Sequence, residues 1–226
     1  MYNDFLERNE IFQLEKWTKK KIVGTIFDSM KNEFLINSSE FCDIMNEKSH
    51  LLFVVEDTKN NKFGYYFNGT IKIKKIFDNS YNTFLNKQFE LLSRPFYVHQ
   101  TNSAEGFIKY FSDYYNGVVE IDEKFHKDDG SFLFSLKSNG RLNGMYKFEE
   151  KIGSKGLIIC DNIRPLLFGI HGGFYIFKEN QIESSYVWEA SKLFDYHGTT
   201  KAFHENLVDG DYKGFTPKRF MVIQMN

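Results

Sequence analysis

HLLFVVEDTKNNKFGYYF, residues 50–67, reads as an apolar run, a polar turn and an aromatic run broken by one glycine. Leu51 to Val55 is apolar without interruption, so both faces of the strand it forms need cover. Lys59-Asn60-Asn61 supplies the turn, because asparagine tolerates the left-handed backbone. Phe63 to Phe67 then returns as a second strand, with Phe63, Tyr65 and Phe67 on one face and Gly64 on the other. A glycine inside a strand forfeits packing and costs chain entropy, so it marks a close approach by a neighbouring ring or backbone. The stretch is therefore an antiparallel hairpin, and Gly64 is expected to be a packing device rather than a ligand site.

Beyond residue 128 turn signals recur at Asp129-Gly130, Asn139-Gly140, Asn143-Gly144, Gly153 to Gly156 and Gly172-Gly173. Between and after them lie the strand candidates SFLFSLK, MYKFEEK, GLIICD, GGFYIFKE, SSYVWEA and KRFMVIQM, while KIVGTIFDS is a strand near the start. Short strands spaced by turns, with no βαβ rhythm, indicate antiparallel sheets packed face to face. The 25 Phe and 13 Tyr suit such half-buried pleated surfaces. The expected fold is α+β, mostly antiparallel β: a two-sheet β-sandwich with flanking helices, in one domain spanning 1–226.

Helices are expected at three places. Residues 1–16 carry one, with Asp4 as its cap and Phe5, Leu6, Ile11, Phe12 and Leu14 forming an apolar face. Phe41, Ile44 and Met45 form a short one, with Asn37 and Glu40 in a capping arrangement. Residues 78–118 read as a helical and aromatic insertion, with Tyr81, Phe84, Leu85, Phe89 and Leu92 at helical spacing and GFIKYFSDYYNG undecided between helix and strand. Just before it, Ile71 and Ile73 alternate with lysines as an edge strand would.

A formal net charge of −1 gives no whole-chain field to hold nucleic acid or an anionic membrane surface, so nucleic-acid binding is not expected; no apolar stretch approaches membrane-spanning length, so membrane insertion is not expected either. The basic run Lys19-Lys20-Lys21 reads as the solvated start of a strand. Cys42 and Cys160 are far apart in apolar surroundings, as inert thiols in a reducing compartment would be. MYNDFLERNEIF lacks the basic and then apolar pattern of a secretion signal, which points to the cytoplasm, with the nucleus as the alternative.

The sharpest catalytic fragment is His171-Gly172-Gly173-Phe174, similar to the oxyanion loop of lipase-like esterases. The G-x-S-x-G elbow that such an enzyme needs occurs nowhere, so the fragment is expected to be a tight turn feeding the strand Phe174 to Phe177. Asp195, His197 and His204 carry metal-ligating groups but match no zinc spacing. Glu149 and Glu150 are adjacent, hence on opposite faces of a strand. No cofactor, metal or catalytic residue is assigned; His171 and Glu189 are the polar positions that folding could bring into a site.

Several of these fragments, in order, resemble the TLDc domain found in oxidation-resistance proteins and relatives of nuclear-receptor coactivators. WTKKKIVGTIFDS with KNEF is similar to that family's opening strand and turn, and SHLLFVVEDTKNNKFGYYF to its hairpin, where Asp57, Phe63 and Gly64 match the family pattern. DGSFLFSL, MYKFEE, KGLIICDNIRPLLFGIHGGFYIFKEN and KRFMVIQM resemble the strands that follow. The family's glycine run is reduced here to Gly169, Gly172 and Gly173, its hairpin turn glycine is replaced by Asn, and 68–127 is longer than the usual connection. The resemblance implies a two-sheet sandwich and a non-enzymatic interaction domain, linked to oxidative-stress protection and to binding and regulating the vacuolar proton-pumping ATPase. The alternatives are a hydrolase with an unrecognised active site and a carbohydrate- or peptide-binding sandwich.

Overall fold

A computed structural model describes residues 4–31, 41–72, 130–151, 156–159, 166–178, 185–188, 193–197, 199, 202–203 and 212–226. The chain divides into two units, one of 1–73 with 119–226 and one of 74–118, and all described residues belong to the first. The expectations for Asn37, Ile73, residues 78–118, Cys160, Glu189 and His204 lie outside the described residues.

The hairpin forms as its sequence dictates. Strands β2 (Ser49–Asp57) and β3 (Asn61–Thr70) pair antiparallel, with Val54 opposite Gly64 and Val55 opposite Phe63. Asp57 builds the turn: its carboxylate accepts hydrogen bonds from the Lys59 N–H at 2.9 Å, the Asn61 N–H at 2.8 Å and the Asn61 side-chain amide at 2.6 Å. Asn60 sits at φ +60°, the left-handed conformation that asparagine tolerates and that explains why it can stand where glycine is usual.

Strands β1 (Ile22–Asp28), β4 (Phe132–Ser138), β5 (Tyr146–Glu150), β10 (Phe194–Asp195) and β12 (Pro217–Met225) complete a seven-stranded sheet of order β1-β12-β2-β3-β4-β5-β10. A second sheet of five strands has the order β11-β9-β8-β7-β6, from β6 (Leu157–Ile159), β7 (Leu166–Ile170), β8 (Phe174–Phe177), β9 (Tyr186–Trp188) and β11 (Tyr212–Gly214). Every described pairing is antiparallel. The two-sheet sandwich read from turns and alternation is the observed architecture.

Alternation sorts the core into two layers. Leu51, Phe53, Val55, Phe63, Tyr65 and Phe67 face the second sheet, where the Phe53 and Phe168 rings lie 5.1 Å apart and those of Phe63 and Phe174 5.3 Å apart. Their strand neighbours Leu52, Val54 and Tyr66, with Phe132, Phe134, Met221 and Ile223, face the other way. That outer face is covered by the N-terminal segment through Phe5, Leu6, Ile11, Leu14 and Trp17. The sheet is thus buried on both sides, as the uninterrupted apolar run in β2 requires.

Helix α1 runs over Arg8–Thr18, later than the expected 1–16. Asp4 does not cap it; the Glu7 N–H donates to the Glu10 carboxylate at 2.8 Å, and Asp4 pairs with Arg219 instead. Phe12, expected on the apolar face, is 68% exposed. The cause is Glu10, which is turned inward to meet Lys62 and so fixes the rotation of the helix. Ile71 also departs from expectation: it lies just past β3, fully buried, with its N–H bonded to Lys48 and its carbonyl to Glu47, not in an alternating edge strand. Helix α2 (Phe41–Met45) buries Phe41, Cys42 and Met45. Among the described residues no helix is long and apolar enough to cross a membrane.

Candidate functional site

The His171-Gly172 pair forms the tight turn between β7 and β8. The Gly173 N–H returns to the Ile170 carbonyl at 2.8 Å, and Gly172 has φ +80°, which glycine adopts without strain at the third position of such a turn. Gly173 packs directly under Leu133 of the facing sheet, whose Cδ2 would be 2.7 Å from a Cβ placed there. Tyr196 fixes the turn from below by donating its hydroxyl to the Gly172 carbonyl at 2.8 Å. The Gly173 N–H that an oxyanion loop would present is therefore spent within the turn.

Around the turn runs a line of polar contacts. The His171 N–H donates to the Gly156 carbonyl at 2.7 Å, and the imidazole Nδ1 lies 3.1 Å from the Tyr175 hydroxyl. Gly156 is also pressed against the Tyr65 hydroxyl, which donates to Glu150 Oε2 at 2.9 Å. Burial lowers the His171 pKa to about 4, and burial of the fully enclosed Tyr175 raises its phenol well above the usual range. Both groups are neutral near pH 7, whereas a general acid or base works best with a pKa near the operating pH. The pair holds the turn against β8, where Tyr175 stacks on Tyr186 at 4.7 Å and its ring lies across Gly169.

The other sequence-derived candidates separate. Asp57, Phe63 and Gly64 occur together in the hairpin, while Gly172 and Gly173 belong to the other sheet. Glu149 pairs with Lys147 at 3.0 Å and Glu150 with Tyr65, so the two carboxylates point to different partners as their adjacency implies. Asp195 lies 3.3 Å from His197, both more than half exposed. Among the described residues no group of three His, Cys, Asp or Glu is placed to hold a metal ion.

Sequence reasoning missed a second polar centre. Lys62 on β3, only 6% exposed, donates to Glu10 Oε2 at 2.9 Å and to the Phe5 carbonyl at 2.8 Å, with its ammonium 5.2 Å from the Phe5 ring centroid. It lines a polar pocket of about 230 Å³ together with Asp4, Glu7, Glu56, Asn60 and Lys137. Beside it, Arg219 grips Asp28 through two bonds of 3.0 and 2.7 Å and reaches Asp4 at 3.1 Å. Burial would raise the Asp28 pKa, but the Arg219 and Met30 hydrogen bonds outweigh it and hold the carboxyl below its usual value. The signal available in the sequence was the period-two position of Lys62, which shares a face with Gly64 and Tyr66 and so requires a partner on the covered side.

No protein-family model matches the chain, and no curated protein matches it at a significant level.

Proposed function

We propose that this chain is a TLDc-like interaction domain that acts by binding a protein partner rather than by catalysis. The partner the resemblance supplies is the vacuolar proton-pumping ATPase, with oxidative-stress protection as the setting. One observation carries the reading: the three hairpin residues that match the family pattern, within the ordered set of similar fragments, all have structural work. Asp57 ties the turn, Phe63 fills the core between the sheets, and Gly64 lies beneath a ring. Several buried ionisable groups support it further, since Asp57, Glu10 with Lys62, and Asp28 with Arg219 are engaged in holding elements together. Affinity capture with the whole chain under native conditions tests the proposal. Enrichment of proton-pump subunits is the expected result, and a folded bait that recovers none of them refutes that partner.

A further inference from the structure

The polar pocket between the N-terminal segment and the large sheet carries charges of both signs and uses only part of their bonding capacity. On the sheet side, three lining residues form a row across adjacent strands: Glu56 of β2 stands opposite Lys62 of β3, and Lys62 opposite Lys137 of β4. Asp4 and Glu7 of the N-terminal segment line the same space of about 230 Å³. Lys62 is buried and donates two of its three protons, to Glu10 and to the Phe5 carbonyl. Those two bonds fix the direction of the third. Glu56 commits Oε1 to Lys218 and leaves Oε2 uncommitted, and among the described residues Lys137 makes no hydrogen bond or ion pair. Like charges directly opposite each other in a sheet repel, so the Lys62–Lys137 pair carries a cost that nothing on the Lys137 side offsets.

We propose that this pocket binds a small zwitterion, a free polar α-amino acid, with its carboxylate on the Lys62 and Lys137 ammoniums and its ammonium on Glu7 and Glu56 Oε2. The balance of charge selects the class. Three carboxylates line the pocket against two ammoniums, so a simple anion is repelled by one set and a simple cation by the other. A molecule carrying both charges a few bonds apart answers both sets and also relieves the repulsion between the two lysines. The volume and the polar lining select a small ligand with little apolar surface. Lys62 gives the site its rigidity, because a donor already held by Glu10 and the Phe5 carbonyl loses little freedom when it takes a third acceptor. The site is independent of the partner proposed above, since a small ligand here and a protein elsewhere on the surface do not exclude each other.

Isothermal titration calorimetry of the intact chain with glycine, L-serine and L-asparagine tests the site. At least one of the three should bind saturably. For L-serine the two halves of the molecule serve as controls: 3-hydroxypropionate lacks the ammonium and ethanolamine lacks the carboxylate, and each should bind more weakly by about tenfold or more. Lys137→Met should weaken amino-acid binding by a similar factor with thermal melting unchanged, because the side chain is exposed, whereas Lys137→Arg should retain binding. The proposal is overturned if none of the three amino acids gives a saturable heat, or if Lys137→Met binds as the parent does. It is equally overturned if 3-hydroxypropionate alone matches L-serine, which would show a plain anion site, or if ethanolamine alone does, which would show a plain cation site.

Discussion

The ring of Phe134 lies across Gly64 on the neighbouring strand, its Cζ 2.5 Å from the position a Cβ would take, and the Phe53 carbonyl closes the same space from the other side. The backbone contact cannot be relieved by a rotamer change, so any side chain here must distort the β2–β3 pairing. Gly64→Val should destabilise the protein by about 3 kcal/mol or more, read as a fall in the urea midpoint. Gly64→Ala combined with Phe134→Ala should remain strongly destabilised, since the carbonyl contact survives; full recovery in the double variant would show that the ring alone imposes the glycine.

Lys62 and Glu10 form a buried ion pair that joins α1 to β3. Removing one partner strands a desolvated charge, and Glu10→Leu should cost about 3–5 kcal/mol. Replacing both, Lys62→Met with Glu10→Leu, should return most of that stability, because apolar groups of similar size suit the outer core. Equilibrium denaturation of the single and double variants measures the coupling.

Asp57 satisfies three donors in the hairpin turn. Asp57→Ala leaves them without that acceptor and should lower stability by about 2–3 kcal/mol. Asp57→Asn retains one acceptor oxygen and should lie between the two. Thermal melts of the three proteins check the order.

His171 should make stability depend on pH in a defined window. Its folded pKa of about 4 lies below the ordinary 6.5, so between those values the unfolded chain takes up the proton first. Stability is therefore lost as pH falls from about 6.5 toward about 4, by roughly 3 kcal/mol in all. The depressed Asp28 carboxyl acts lower, its contribution being lost only as pH falls below its usual value of 3.8. His171→Gln should flatten the curve between pH 6.5 and 4 relative to the parent, measured by urea melts across that range.

The sheet was legible where alternation and turn chemistry agree. Leu51 to Phe67 carries both signals, and Asn139-Gly140 marks a turn whose two residues do have positive φ, 48° and 78°. Strands β10 and β11 were not legible, because two or three residues such as Phe194-Asp195 give no period to read and owe their extension to pairing with β5 and β9. The rotation of α1 was misread for a different reason: hydropathy places Phe12 inside and Glu10 outside, whereas the buried ammonium of Lys62, distant in sequence, reverses them. Of the candidate site, the glycine turn at His171 was readable from composition, but the neutral His171–Tyr175 pair was not, since its desolvation comes from neighbouring strands.

We propose that this sandwich works by binding, with the proton pump as its partner. Biolayer interferometry between purified vacuolar proton-ATPase and the intact chain tests it most directly. The account predicts saturable binding by the folded chain, lost in Gly64→Val once that variant unfolds. A chain that melts cooperatively yet shows no saturable binding at any pump concentration would contradict it.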